Sequence, residues 1–158
     1  MLSEIELAWA AGFFDGEGSV GISFHSTMRS GKRYRNHVLR VAVLNTHLQS
    51  ILLFQTMFGG KVYRRKLTGM GKRQVWCWQA GSLKAIRFLE SVQPYLKVKA
   101  SHAIFAIAFQ KSKRFGAATT HVRQRVPINI VVHREVLRRS IQALNHGTYS
   151  HPPIASNN

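Results

Sequence analysis

Two acidic residues near the start of the chain have the spacing and the surroundings of a cation site. Asp15 and Glu17 flank Gly16, directly after an apolar run that contains no basic residue. The chain has 6 Asp and Glu against 23 Lys and Arg, so an isolated acidic pair stands out. A bare Asp-Gly-Glu is more often a turn that closes a helix. Carboxylates and backbone carbonyls are nevertheless ligands that Mg²⁺ prefers, and the pair is therefore a candidate metal site.

The charge of the whole chain predicts a polyanionic partner. Its 158 residues carry a formal net charge of +17 at pH 7, which is far more than solubility needs. Nucleic acid is the first candidate and an anionic membrane surface is the second. Phosphodiester hydrolysis uses a divalent cation to activate water and to neutralise charge on the phosphate. Glu17 and the Gly16 carbonyl would supply part of the shell of such a cation, and the nucleic acid would complete it.

Composition narrows the class of protein further. The length fits one domain with a real core, and 45% hydrophobic residues argue against disorder throughout. No apolar run is long enough for a membrane span, and the N-terminus lacks the basic region of a signal peptide. Cys77 is the single cysteine, which excludes a disulfide framework and a cysteine-based zinc site. We expect a reducing location, either an organelle (chloroplast or mitochondrion) or a bacterial cytoplasm, and no secretion.

A helix is predicted to carry the acidic pair. Ser3 and Glu6 fit a capping box at its start, and we expect it to run to about Phe14, with Gly16 and Gly18 ending it.

One face of this helix is almost without side chains, because Ala8, Ala11 and Gly12 lie at i, i+3 and i+4. For the alanines alone, burial against a sheet is the simpler interpretation. Gly12 favours close approach by another helix, since a mid-helix glycine costs roughly 1 kcal/mol against alanine and usually has a packing reason.

Two hairpin-plus-helix units are predicted to follow. Strands are expected over residues 19–25, 34–44, 61–67 and 73–80. Asn45 or Thr46 should cap a helix to Phe58, and Ser82 should cap one to about Val92. Four antiparallel strands with helices on one face make an α+β class. Further helices are expected over 97–111 and 127–144, with a basic irregular segment at 112–126 between them and a disordered tail over 146–158.

Basic residues concentrate on the two predicted hairpins, over 29–40 and 61–73. The alternate strand positions are apolar, so a basic concave surface is expected on the opposite face of the sheet. A two-stranded ribbon of this kind can enter the major groove and contact phosphates and base edges. The DNA-contacting residues predicted on these grounds are Ser23, His25, Arg29, Lys32, Arg33, Tyr34, Asn36, Tyr63, Lys72, Arg73 and Gln74. Trp76 and Trp78 share a face with Gln74, and the pattern leaves open whether they or Val75 and Cys77 are core.

Residues 10–18 (AAGFFDGEG) resemble the LAGLIDADG motif of homing endonucleases. They differ from it in Ala at the first position, aromatics at the fourth and fifth, and Glu rather than Asp as the second acid. The predicted order of elements is similar to the αββαββα core of that family. Residues 92–99 (VQPYLKVK) resemble the segment that carries the family's catalytic lysine, so that the resemblance covers about residues 5–111.

The resemblance implies a role for individual residues. Glu17 and the Gly16 carbonyl would bind Mg²⁺, for which Mn²⁺ is expected to substitute, and Asp15 would be mainly structural. Lys99 would stabilise charge or tune the attacking water. Asn45 would orient water, and Gln49 falls where some members have Arg, so the implied catalytic residues are Glu17, Lys99, Asn45 and Gln49. Residues implied to face DNA are Asn36, Val38, Arg40, Ala42, Lys61, Tyr63 and Arg65.

A single motif implies the homodimeric branch of the family, because cutting both strands of a duplex requires two sites. The predicted dimer interface is Ala8, Ala11, Gly12 and Asp15, which would bring two Glu17 residues together over the minor groove. Residues 1–145 would form one endonuclease domain, with a core at 5–111 and a C-terminal helical part at 112–145. The implied function is a site-specific double-strand DNA endonuclease with a long pseudo-palindromic target.

The residues favour this function over two other classes. An RNA maturase or a DNA-binding regulator could keep the fold without cleavage, and intact Glu17 and Lys99 favour the enzyme. A membrane-binding protein is disfavoured, because the basic clusters lie on predicted strands and not on an amphipathic helix. The expected partners are double-stranded DNA and a second copy of the chain, with neither a membrane nor a small-molecule substrate.

Overall fold

The chain folds as a helix followed by two strand-strand-helix units and two further helices, which confirms the predicted α+β class. The computed structural model describes residues 2–29, 31–65, 73–117 and 128–147. The elements are α1 (Glu4–Glu17), β1 (Gly18–Arg29), β2 (Lys32–Asn45), α2 (Leu48–Phe58), β3 (Lys61–Arg64), β4 (Trp76–Gly81), α3 (Ser82–Val92), a 3₁₀ turn (Gln93–Tyr95), α4 (Ala100–Ala117) and α5 (Ile128–Asn145).

The four strands form one antiparallel sheet in the order β1-β2-β4-β3. Val20 pairs with Val41, and Val43 pairs with Trp78. Residues paired in this way share a face of the sheet, and these four are fully or almost fully buried beneath the helices. The opposite face is therefore left uncovered by the described helices. Trp78 belongs to the core, and Trp76 packs against it while half-buried.

Aromatic side chains fill the space between the sheet and helices α1 to α3. The ring of Phe88 lies 4.9 Å from that of Phe14, 4.8 Å from that of Phe58 and 5.1 Å from that of Trp78. The indole of Trp78 donates its N–H to the Gly59 carbonyl at 2.6 Å, so its polar atom is satisfied inside the core. This cluster fixes α1 against the sheet.

Several element boundaries differ from the prediction. Helix α1 continues through Gly16 to Glu17, and α4 covers Ala100–Ala117 where an irregular segment was expected after residue 111. The N-cap positions of α2 and α3 are His47 and Gly81, so none of the three predicted cap residues, Asn45, Thr46 and Ser82, has that role. Strand β3 ends at Arg64 and β4 begins at Trp76, and the predicted turn at 68–71 lies outside the described residues.

Helix α5 covers the edge of the sheet formed by β1. Leu137 and Ile141 are buried, and the Asn145 side-chain amide donates to the Val20 carbonyl at 3.0 Å. A carbonyl on an edge strand would otherwise be open to pairing with another chain. None of the helices in the described part of the chain has the length and apolar content of a membrane span.

Candidate active site and nucleic-acid interface

Helix α1 passes into strand β1 without any connecting residue. Glu17 is the last residue of the helix and Gly18 the first residue of the strand. The Gly18 N–H bonds to the Phe14 carbonyl and closes the helix. A side chain at Gly18 would overlap the buried ring and the carbonyl of Phe14, so glycine is required there by close packing. The position of Glu17 is thereby fixed relative to the sheet.

The carboxylate of Asp15 holds the segment that precedes α4. Its Oδ2 accepts the N–H groups of Lys97 at 2.7 Å and Val98 at 3.1 Å, and its Oδ1 accepts that of Lys99 at 2.8 Å. The Lys99 carbonyl then accepts from Ala103 at 3.0 Å in the first turn of α4. A carboxylate at the N-terminal end of a helix is also favoured by the helix dipole. Asp15 therefore caps a second helix of its own chain, and it is this contact that occupies the carboxylate predicted for the dimer interface.

Lys99 is brought to the acidic pair by this arrangement. Its half-buried side chain donates from Nζ to the backbone carbonyl of Asp15. Burial lowers the pKa of Lys99, and the nearby carboxylates of Asp15 and Glu17 oppose that shift. Residues more than 80 positions apart in the sequence thus lie in one cluster.

The carboxylate of Glu17 is open to a ligand. Glu17 and Gly16 are both exposed, and within the described residues Glu17 makes no hydrogen bond or ion pair. The last carbonyls of α1, including that of Gly16, lie at the negative end of the helix dipole and lack intrahelical partners. An exposed carboxylate beside a free carbonyl fits a hard cation that keeps part of its shell for water or phosphate. No group of three or more His, Cys, Asp or Glu residues in the described ranges could enclose a metal, so a single chain offers only a partial shell.

Asn45 lies at the end of the sheet where α1 meets β1, and Gln49 lies on the helix that follows it. Gly18 pairs with Val43, and Asn45 follows two residues later at the end of β2. The Asn45 Oδ1 accepts the His47 N–H at 2.8 Å, which orients the side-chain amide. Gln49 is exposed in the first turn of α2. No contact in the described part of the chain joins either side chain to Glu17 or Lys99.

The strand register places one set of predicted DNA contacts on the face of the sheet that lies away from the helices. Lys61 pairs with Gln79, Ala42 pairs with the same Gln79, and Tyr63 pairs with Cys77. Because paired residues share a face, these five lie together, opposite the face that carries Trp78. Members of the predicted set on this face are Ser23, Val38, Arg40, Ala42, Lys61 and Tyr63. Arg40, Lys61 and Tyr63 are exposed there.

Gln79 is a residue of this surface that the sequence did not single out. It receives a hydrogen bond from the Tyr63 hydroxyl at 2.9 Å. The pKa of Tyr63 is raised by its interaction with the Cys77 thiol and by burial, while the cations Arg65 and Arg40 act in the opposite direction. Arg40 lies on the same face of the sheet as Tyr63 and Gln79, so that the surface combines amide, phenol and guanidinium groups. Alternation from a buried Trp78 would have identified Gln79, had the tryptophan pair been assigned.

Gln74 has a different environment from the one predicted. Its side chain contacts the Arg64 guanidinium and donates to the carbonyls of Arg65 at 3.3 Å and Val75 at 2.6 Å. Arg64 pairs with Trp76, which packs against the core. Gln74 therefore ties the ends of β3 and β4 together from the side of the sheet that carries the helices.

Comparisons with known sequences and with solved structures find proteins similar to this chain, whereas the comparison with family models does not. No family model matches the chain. One segment is 38% identical over 63 residues to "Probable intron-encoded endonuclease aI2" of Debaryomyces hansenii, covering 35% of this chain and 10% of that protein. The solved structure of the homing endonuclease I-CvuI, in complex with its target in the presence of calcium, has a TM-score of 0.71 at 19% identity and covers 97% of this chain and 89% of that one. The LAGLIDADG homing endonuclease I-GzeII, in complex with a DNA target, has a TM-score of 0.60 at 15% identity and covers 96% of this chain and 53% of that one.

The chain has the LAGLIDADG homing-endonuclease fold.

In this LAGLIDADG fold, one of the residues predicted on the free face of helix α1 is not on that face. Ala11 is fully buried within the chain, whereas four exposed residues of α1 share one face of the helix: Ile5, Ala8, Trp9 and Gly12. We call these four residues the α1 stripe. Ile5 is 83% exposed and Trp9 is 38% exposed. The prediction used the small side chain of Ala11 as evidence of a free face, but that small size serves close packing of α1 on its own domain.

For most of the other predicted DNA contacts on this LAGLIDADG sheet, the structure describes the backbone only. The backbones of β1 and β2 pair as far as Arg29 and Lys32, which extends the hairpin well beyond the predicted strand end at residue 25. The residues whose side chains lie outside the described part are His25, Arg29, Lys32, Arg33, Tyr34 and Asn36, and Lys72 lies outside it altogether. Arg73 is exposed beside the β3–β4 end of the sheet.

Proposed function

We propose that this chain is a site-specific double-strand DNA endonuclease that acts as a homodimer and depends on Mg²⁺. The observation that carries the proposal is the cluster of Glu17, Asp15 and Lys99 at one edge of an open, basic sheet face. The fold supports it, because the I-CvuI and I-GzeII structures of the same fold were solved with DNA targets. Cleavage of a plasmid that carries a selected target should require a divalent cation and stop on chelation. Binding without any cleavage would favour the DNA-binding regulator instead.

The proposed reaction assigns a distinct task to each residue of the cluster. Glu17 and the Gly16 carbonyl would hold the cation, which when bound activates water and neutralises charge on the scissile phosphate. Lys99, half-buried and held by Asp15, offers an ammonium group that can stabilise negative charge developing on a phosphate oxygen. Asn45 has its Oδ1 engaged by the His47 N–H, which leaves its NH₂ group to orient water.

One chain supplies one carboxylate for the cation, so we propose that two chains assemble on the DNA. I-GzeII is covered over only 53% of its length, as expected when one copy of this chain corresponds to half of a longer protein. The proposed domain comprises residues 1–145, with its C-terminal helices as part of it. The outward α1 stripe, and not the predicted set with Ala11, would form the contact between the two copies. A location in an organelle or a bacterial cytoplasm stays a prediction.

Gly12→Leu should separate the two copies without unfolding either one. An added Cβ at Gly12 meets no atom within 4 Å in the chain, so the protomer can accept a side chain, whereas two backbones in close approach cannot. Sedimentation should show a folded monomer, and double-strand cutting should be lost. Ser91→Leu, a similar change at an exposed position of α3, serves as the control. A dimeric Gly12→Leu protein that cuts both strands would exclude the α1 stripe as the interface.

DNA binding should weaken steeply with salt, because phosphate contacts release counterions. Arg40, Lys61 and Arg65 are exposed cations at the open sheet face, so a dimer offers at least about six phosphate contacts and a slope of log K against log [salt] near −5. Fluorescence anisotropy between about 50 and 200 mM salt measures the slope. Replacing Lys61 with Gln should reduce its magnitude by about two per dimer. An affinity that is independent of salt would rule out the basic sheet as the DNA surface.

A further inference from the structure

Side chains of the C-terminal helices α4 and α5 contact the β1–β2 hairpin at one position along its length. Phe24 of β1 pairs with His37 of β2, and their rings lie 5.0 Å apart. The His37 ring also meets that of Phe109 on α4, with centroids 6.3 Å apart. Beyond this pair the two strands continue for five more paired positions, to Arg29 and Lys32. The Phe24–His37 pair is thus the base from which the outer half of the hairpin extends.

Glu135 of α5 is the acidic group at this base. Its Oε2 lies 3.4 Å from the buried Nε2 of His37. Arg138 donates to both of its oxygens, at 2.9 and 2.6 Å, and Arg139 donates at 3.1 Å. The hydrogen bonds from Arg138 hold the pKa of Glu135 low, at about 2. The carboxylate is therefore ionised at any working pH and is fixed in direction by a two-pronged contact.

Further contacts connect the same strand to both C-terminal helices. Lys113 of α4 donates from Nζ to the His37 carbonyl. Arg134 of α5 donates to the Ser112 hydroxyl at 3.2 Å and to the Ser112 carbonyl at 2.9 Å, which joins α5 to α4 beside this point. Helix α5 therefore approaches β2 through the Glu135 carboxylate, whose direction the neighbouring arginines set, and it does so where the hairpin leaves the core.

We propose that Glu135 is a positioning residue that sets the angle of the β1–β2 hairpin, and through it the base pairs that the outer strand residues reach. The proposal rests on the proposed function for its consequence in target choice, but not for the contact itself. Among the described residues, Glu135 makes no hydrogen bond or ion pair with the open sheet face or with the cluster at Glu17. Its effect passes through His37, and its loss should change discrimination between DNA sequences more than it changes the rate of cutting a bound target.

The test compares Glu135→Gln with Glu90→Gln. Both changes remove one negative charge. Among the described residues Glu90 of α3 pairs with Lys111 of α4, at 3.7 Å, whereas Glu135 pairs with Arg138 and Arg139 and contacts His37. Hydrogen exchange of the free protein reports on the hairpin directly. Glu135→Gln should raise exchange of the β1–β2 amides outside the Phe24–His37 pair, and Glu90→Gln should not. The affinity ratio between the selected target and a random duplex should fall about tenfold, the effect of losing one base-pair contact, with single-turnover cutting at saturating DNA unchanged.

A third variant, His37→Gln, separates positioning from general stability. If Glu135 acts through His37, the variant that carries both Glu135→Gln and His37→Gln should show an affinity ratio between target and random duplex no lower than that of either single variant. Unchanged hairpin exchange in Glu135→Gln would overturn the proposal whether or not the protein cuts DNA. Raised exchange with full discrimination would overturn the link to target choice and leave the nuclease assignment intact. Additive losses in the double variant would show that Glu135 acts by another route.

Discussion

Glu17→Gln should abolish DNA cleavage while leaving DNA affinity equal or slightly higher. The amide keeps the size of the side chain and removes the charge that a hard cation requires. A bound metal contributes several kcal/mol to transition-state stabilisation, and about 4 kcal/mol corresponds to about a thousandfold in rate. Affinity should not fall, because the lost negative charge lies near DNA phosphates. Single-turnover cleavage and anisotropy on the same duplex measure the two effects.

The control for this result is Glu4→Gln at the other end of the same helix. Glu4 is exposed, and its loss changes the net charge of the chain by the same amount. We expect cleavage by that variant to match the parent protein. Full cleavage by Glu17→Gln at saturating Mg²⁺ would remove Glu17 from the metal site. Equal losses in both variants would mean that net charge, and not a metal ligand, is responsible.

Asp15→Asn should reduce both the stability and the activity of the protein. The carboxylate accepts three N–H groups from residues 97–99, and an amide would turn its NH₂ group towards at least one of these donors. Hydrogen bonds to charged groups contribute about 1.5–3 kcal/mol each, so we expect a loss of about 2–4 kcal/mol in the free energy of unfolding. Cleavage should fall as well, because the segment that carries Lys99 is released.

The pH dependence of the remaining activity of Asp15→Asn distinguishes local damage from general unfolding. Burial lowers the pKa of Lys99 and the Asp15 charge opposes this. Without that charge the pKa of Lys99 should fall further, so the alkaline limb of the cleavage rate should move to lower pH. Lys99→Met should lose the cleavage and keep most of the stability. An alkaline limb that stays in place in Asp15→Asn would exclude Lys99 as the group that titrates.

The sequence predicted those parts of the site that depend on neighbours along the chain. The acidic pair was expected at the end of a helix and just before a strand, although the helix runs on to Glu17 and not only to about Phe14. The open face of β2 follows from alternation. Ala11 was placed wrongly because a small residue fits both a free face and a tightly packed one. Only its neighbours in space decide between the two.

Other features depend on contacts between distant segments. Nothing in the sequence around Asp15 indicates that its carboxylate binds residues 97–99, and only the resemblance pointed to Lys99. Gln79 was missed because the pattern allowed either face of β4 to be the core. Helix α4 is longer than predicted, and beyond residue 111 it is bonded to α5 through Arg134 and Ser112, where local composition suggested an irregular segment.

The direct passage from Glu17 into Gly18 has a consequence for how such a protein could acquire new targets. With no residue to spare between helix and strand, an insertion or deletion there would rotate the carboxylate away from the sheet edge. Exposed positions of β1 to β4 can change without moving that junction. Retargeting, by evolution or by engineering, should therefore accumulate as substitutions along the strands, while the junction between α1 and β1 tolerates almost none.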